Sequence, residues 1–289
     1  MALAGSLESS CVQAVERAAA YIAGRQSPSG GFCFYRYGGV EEPSLGDTYY
    51  AVATLRLFGL EVPNARRTME FVGKARIFGL TYLYFCAFTF DHLGLGARVS
   101  EDVCKQIAAL TIDLPQASRS IDRSGWLESV RKTIRVQHRF APQASDRYAH
   151  VAQFMRDLFR DGSFGVRRDL WETYLAVSIA ALLGLEAMED TASFVDSLQQ
   201  PPLGFMMTPS SIVGSLDVAY AGVRCCELLK LPVRRGEEVI EFILACQSTD
   251  GGFAHAPQAL PNLEFTYRAL MTLARLAPQL TRGPLDGGP

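Results

Sequence analysis

Four times along the chain a turn containing Gly and ending in Phe is followed by a loop and then by a helix that opens on an acid. The first copy runs from Gln26 to Leu60 and holds Gly30-Gly31-Phe32 and Asp47-Thr48-Tyr49-Tyr50. The second, Phe154 to Leu185, holds Asp161-Gly162-Ser163-Phe164 and Glu172-Thr173-Tyr174. The third, Phe194 to Leu231, holds Gln199-Gln200, Gly204-Phe205 and Asp217-Val218-Ala219-Tyr220. The fourth, Ile240 to Leu276, holds Gln247, Gly251-Gly252-Phe253 and Glu264-Phe265-Thr266-Tyr267. Repetition at this spacing constrains the fold more than any local pattern, because each unit must bury its apolar face on a neighbour.

An apolar helical stretch precedes each turn. In the fourth copy Val239, Ile240, Ile243 and Leu244 fall on one side and Glu237, Glu238 and Glu241 on the other, the pattern of a helix with one wet face. Glycine ends that helix, since it takes positive φ without a Cβ clash. The helix after the turn, as in "TYYAVATLRLFGL" and "TYLAVSIAALLGL", is apolar nearly all round and is predicted to be buried on most faces. Amphipathic helices alternating with apolar ones predict an all-α protein, an α/α barrel or toroid with an outer and an inner ring. The segment 64–144 is less regular. It is predicted to add helix pairs from "MEFVGKARIFGLTYLYFCAFTFDHLGL", "EDVCKQIAALTIDL" and "SGWLESVRKTIRVQH", for about six pairs in all, with "DLPQASRSIDRSG" as a surface excursion. Residues 1–280 read as a single toroid domain and 281–289 as a frayed tail.

The Gln…Gly-Gly-Phe turn followed by a buried Asp-Thr-Tyr-type helix resembles the prenyltransferase and squalene-cyclase repeat. The resemblance implies an α/α toroid with an oily central cavity for isoprenoids. It also supplies two reference sites. Protein prenyltransferase β subunits carry zinc on an Asp-x-Cys-Tyr and a His-Thr at the starts of inner helices, with Arg and Lys upstream of the Asp to hold a diphosphate. Here the Asp and Tyr positions are Asp217 and Tyr220, but the Cys position is Ala219 and the His position is Phe265. The Arg and Lys positions are Ser211 and Gly214. One carboxylate with an Ala and a Phe does not make a four-coordinate zinc site, so no metal and no cofactor are expected. The Asp-x-Asp-Asp of class II cyclases and the DDxxD of class I synthases are both missing from the sequence. Class II enzymes also commonly carry two toroids, and this chain reads as one.

The acids that open the four apolar helices, Asp47, Glu172, Asp217 and Glu264, are the candidate catalytic groups. The plain reading is that each complements its own helix dipole. The sharper one is that the four helix starts face one mouth of the barrel, where a carboxyl in apolar surroundings has a raised pKa and acts as a general acid. Asp47 and Asp217 lead, since they fall at family positions. Aromatic side chains supply candidate substrate contacts: Tyr49, Tyr50, Tyr82, Phe85, Tyr174, Tyr220, Phe265 and Tyr267, either as core or as π faces that steady a carbocation. His255, in the loop after the last Gly-Gly-Phe, is the histidine nearest the expected mouth.

The net charge of −2 gives no case for nucleic acid or for an anionic membrane surface. No apolar run reaches the ~18 residues that span a bilayer. The first residues lack the basic segment of a signal peptide, and the seven scattered cysteines read as reduced, mostly buried thiols, so a cytoplasmic protein is expected. The function expected is a metal-independent, acid-initiated terpene cyclase or isomerase acting on an oily polyprenyl substrate. The alternatives are a prenyltransferase β-like chain without the usual zinc site and a non-catalytic lipid- or peptide-binding toroid. A homodimer or a helical partner subunit stays open.

Overall fold

A computed structural model describes residues 5–37, 40–115, 122–142, 147–159, 169–185 and 189–281. Among them are twelve α-helices and one two-stranded hairpin. The chain divides into two compact units, Met1–Val99 with Ser215–Tyr220 and Gly236–Gly288, and Ser100–Gly214 with Ala221–Arg235.

The first unit holds α1 (Gly5–Ala23), the strands β1 (Phe32–Tyr37) and β2 (Val40–Ser44), α2 (Leu45–Leu57), α3 (Ala65–Lys74) and α4 (Gly79–His92). The second holds α5 (Glu101–Ala108), α6 (Arg123–Phe140), α7 (Ala149–Phe159), α8 (Leu170–Leu182) and α9 (Glu189–Ser197). Helix α10 (Leu216–Leu229) starts in the first unit and continues in the second. Helices α11 (Gly236–Ala245) and α12 (Leu263–Leu276) return to the first. The stretches 64–144 read as helix pairs are α3 with α4 and α5 with α6.

Two kinds of helix alternate, as the apolar patterns require. Helices α2, α8 and α12 bury residues on nearly every face, Ala51 through Leu55 consecutively in α2 and Thr173 through Ala180 in α8. Helices α3, α5 and α11 bury single stripes: Thr68 and Val72, Val103 and Ile107, and Val239, Ile240 and Ile243. In the first unit α2 packs between α4 and α12, and α1 packs on α11 and α12. In the second, α6 packs on α5 and α8, and α7 packs on α8.

The repeated turn has one geometry. Gly30 and Gly251 both have φ of 96°, a left-handed value that suits glycine alone. A Cβ on Gly30 would overlap the Arg67 backbone, and one on Gly251 would overlap the Arg17 carbonyl oxygen. The turn therefore sits flush against the neighbouring amphipathic helix. Its Gln reaches the same helix or its approach. Gln26 Nε2 donates to the Pro63 carbonyl at 2.5 Å, and Gln247 Nε2 donates to the Ala14 carbonyl at 2.8 Å. In the second unit Gln199 Nε2 donates to the Pro232 carbonyl at 3.1 Å. The Phe of the turn is buried completely, and its N–H is satisfied by a threonine on the following apolar helix. Phe32 N–H donates to Thr48 Oγ1 and Phe253 N–H to Thr266 Oγ1, both at 3.0 Å. The corresponding turn of the second copy, 161–164, and the excursion around 116–121 lie outside the described residues.

The hairpin is an addition to the helical reading. "FCFYRY" and "VEEPS" pair antiparallel, with Phe32 opposite Ser44 and Tyr37 opposite Val40. Aromatic residues ahead of a Gly-Gly pair favour a hairpin over a loop.

Candidate functional site

Each apolar helix starts on its own capping residue, and the four opening acids are not equivalent. Ser44, Asp169 and Asn262 accept from the backbone N–H three residues on, belonging to Asp47, Glu172 and Phe265. Ser215 accepts likewise from Val218 N–H at 3.3 Å. Asp47 and Glu172 therefore stand three residues after the cap, whereas Asp217 and Glu264 stand two after it. One residue is about 100° of rotation around an α-helix. The offset turns the second pair toward a different neighbour.

That neighbour is Arg268, one turn along α12 from Glu264. Its guanidinium bridges Glu264 Oε1 and Asp217 Oδ1. The Tyr50 hydroxyl donates to Glu264 Oε1 at 3.0 Å and so ties α2 into the network. Burial alone would lower the Arg268 pKa, but the Glu264 and Asp217 carboxylates outweigh it and hold the guanidinium firmly charged. Arg268 also stands 5.9 Å from the centre of the Phe265 ring, whose far neighbour is the His255 ring at 5.7 Å. The His255 carbonyl accepts from Leu216 N–H at 2.8 Å, which fixes the start of α10 beside that loop.

Asp47 belongs to the same neighbourhood but has a different environment. The Ser44 hydroxyl donates to its Oδ2 at 2.6 Å. Burial raises its pKa above the ordinary 3.8; the Ser44 hydroxyl and the Phe34 backbone N–H oppose the rise, and the Glu264 charge adds to it. Asp47 is thus an acid held toward its protonated form close to an ionised pair.

The aromatic rings gather where α2, α4 and α12 meet. Tyr49 has its ring centre 5.2 Å from Tyr50 and from Phe85, 5.7 Å from Tyr84 and from His92, and 6.1 Å from Tyr267. Tyr50 closes the group at 5.6 Å from Phe85 and 5.5 Å from Tyr267. Tyr50, Phe85 and Tyr267 are only half-buried, while Tyr49 and Tyr84 pack behind them. Tyr50 lies one helical turn from Asp47, so ring and carboxyl share a face of α2.

The first unit thus brings together Asp47, Asp217, Glu264, Tyr49, Tyr50, Phe85, Phe265, Tyr267 and His255 from the sequence reading. Tyr220 is buried in α10 of the same unit. Tyr82, 44% exposed, meets Phe78 edge to face. Glu172 and Tyr174 belong to the second unit, where the Ser124 hydroxyl donates to Glu172 Oε1 at 3.1 Å and Tyr174 packs on Trp171 under the Arg131 guanidinium. Burial and the neighbouring Asp169 raise the Glu172 pKa against the Ser124 bond. Sequence reading missed Arg268; the signal was a cation early in the mostly apolar run "FTYRALMTLARL", four residues after an acid. Among the described residues no three His, Cys, Asp or Glu side chains converge as a metal-ligand set. Ala219 is buried and Phe265 is engaged with Arg268 and His255, so these two positions offer no ligand atom.

The solved structure of a variant of the type II terpene cyclase MstE from Scytonema, in the apo form, resembles this chain with a TM-score of 0.58. The likeness covers 96% of this chain and 100% of that one at 13% identity, a likeness of fold. No curated protein matches this chain. The model of the prenyltransferase alpha-alpha toroid domain matches residues 1–78 and 76–283. With its alternating buried and half-buried helices and its repeated Gln-Gly-Phe turns, the chain belongs to the prenyltransferase alpha-alpha toroid domain family.

Proposed function

We propose that the protein is an isoprenoid-handling enzyme that starts a metal-independent cyclisation or isomerisation by proton transfer from Asp47. The observation that carries this reading is a half-buried carboxyl, pushed toward its protonated form, one turn from a half-buried group of Tyr50, Phe85 and Tyr267. A raised pKa favours the protonated form of the acid, and ring faces lower the energy of a nearby carbocation.

The steps balance within the substrate. The Asp47 carboxyl gives its proton to an alkene carbon; the π pair forms the new C–H bond and leaves a tertiary cation. A second double bond supplies its electron pair to that cation, closing a ring. The last cation loses a proton to water, regenerating an alkene; Asp47 takes a proton back from solvent, and the product is an isomer of the substrate. Arg268, engaged by Asp217 and Glu264, holds Glu264 and through it Tyr50 in place. Committed in this way, it does not offer itself to a diphosphate, which favours a substrate with an uncharged head. The relatedness in fold to a type II terpene cyclase agrees with this class of chemistry.

The test is incubation with a neutral polyprenol, and in parallel with its diphosphate, in deuterated water. The expected product is an isomer of the neutral substrate with one solvent deuteron retained, absent with Asp47→Asn. Conversion that survives Asp47→Asn would remove Asp47 as the acid. An isoprenoid that co-purifies and is never converted would make the protein a carrier instead.

A further inference from the structure

The junction of α3 and α4 carries exposed aromatic rings and exposed cations together. Phe78 is 68% exposed and Tyr82 44% exposed, their rings 6.2 Å apart and edge to face. Large rings at a folded surface are unusual as a contacting pair, and a contiguous apolar patch marks a binding surface more often than a chance exposure. Lys74 and Arg76, both exposed, precede them, and Ile77 and Leu80 beside them are half-buried. From Phe71 to Phe90 the sequence has these two cations and not one acid. The nearest acid upstream, Glu70, is held by Arg66 at 3.1 Å, and Arg66 is itself almost fully exposed. The segment 71–90 itself therefore carries two positive charges although the whole chain carries −2.

Gly79, with φ of 76°, turns the chain into α4 directly after Phe78. A Cβ there would meet no atom of the described residues within 4 Å, so the space beside that turn is open among them. The features together are those of a segment that sits in a lipid–water interface. Aromatic rings enter at the level of the headgroups, and Lys and Arg flank them where their charges meet anionic phosphates. No helix of the described residues is long and apolar enough to cross a membrane, so the attachment is to one face.

We propose that the α3–α4 junction, with Phe78 and Tyr82 as inserting rings and Lys74 and Arg76 as headgroup contacts, docks the protein on an anionic lipid surface. The inference goes beyond the catalytic proposal and does not need it: a protein with no cyclase activity would still bind.

Vesicle flotation tests it, using purified full chain with phosphatidylcholine vesicles and with vesicles that also contain phosphatidylglycerol. Wild type is expected to float with the anionic vesicles, and salt should weaken the binding. Lys74→Gln/Arg76→Gln should weaken binding to the anionic vesicles by about fivefold per cation while leaving weak binding to the neutral ones. Phe78→Ser/Tyr82→Ser should reduce binding to both kinds, with the circular dichroism melt unchanged. Phe78→Trp gives a second readout, a blue shift of its indole emission when anionic vesicles are added. Wild type that ignores anionic vesicles, or an indole emission from the Phe78→Trp variant that does not move, would overturn the proposal and leave the patch as a contact for another protein.

Discussion

Asp47 and Arg268 lie in one neighbourhood and respond oppositely to substitution. Asp47→Asn keeps an oxygen to accept from Ser44 and removes an ionisable group whose folded pKa is raised above 3.8. The sign follows from linkage: wild-type stability associated with Asp47 is fully present below the unfolded pKa and is lost as pH rises through the folded one. The variant should match wild type at ~pH 3 and become the more stable of the two toward pH 7, measured by urea midpoints across that range. Its turnover in the proposed reaction should fall about 10²–10⁴-fold, the usual contribution of a general acid. Arg268→Met is expected to do the reverse to stability, since it strands Asp217 and Glu264 without their cation. The expected loss is about 1–3 kcal/mol, below that of a fully buried pair because both carboxylates keep some contact with water. Arg268→Lys should recover only part of it, because a point charge does not reproduce a fork that reaches two carboxylates.

At the scale of the elements, the Gln-Gly-Phe turn is the joint between one helix pair and the next. Gly251→Ala places a Cβ on the Arg17 carbonyl at a φ no L residue favours. Backbone strain alone should then cost about 1–3 kcal/mol, read as a lower urea midpoint. Thr266→Val keeps the shape but removes the acceptor for the buried Phe253 N–H. About 1–3 kcal/mol should go with it. Much of this was legible from the chain. Gln and Gly-Gly recur at matched spacing because each has one geometric task, and the apolar helices announce themselves by having no polar face. The positions of the acids were legible but their directions were not. Asp47 and Glu264 look alike in a string of letters, and a one-residue difference in distance from Ser44 and Asn262 sends them to different partners. The cap residues settle that difference, and they are ordinary polar letters until the helix start is known. Arg268 stayed hidden because its partners come from α10 and α12, which sequence spacing does not bring together. The hairpin escaped because "FCFYRY" reads equally well as rings lining a cavity.

The whole molecule belongs to a fold in which helix pairs support one another, and nothing in the family match by itself names a reaction. Function is argued from a site grafted on the fold, here the acid, the ion pair and the rings of the first unit. Unit membership makes a separable expectation. Glu172, in the second unit, is also raised by burial, so Glu172→Gln should repeat the pH trend of Asp47→Asn in stability. It should leave turnover near wild type if Asp47 alone supplies the proton. A loss of turnover equal to that of Asp47→Asn would mean both carboxyls serve the reaction.

The last turn of the chain holds the first helix. Gln247 reaches the Ala14 carbonyl, Arg17 donates to the Ser248 carbonyl at 2.7 Å, and Arg25 pairs with Asp250 at 3.3 Å. During synthesis Ala14, on the apolar stripe of α1, is made 233 residues before its partner Gln247. At ~5–20 residues per second that is a wait of roughly 10–50 s before the last turn can close on α1. Ribosome-bound chains stalled at 240 should be cut by protease within α1, whereas those that have released residue 281 should resist.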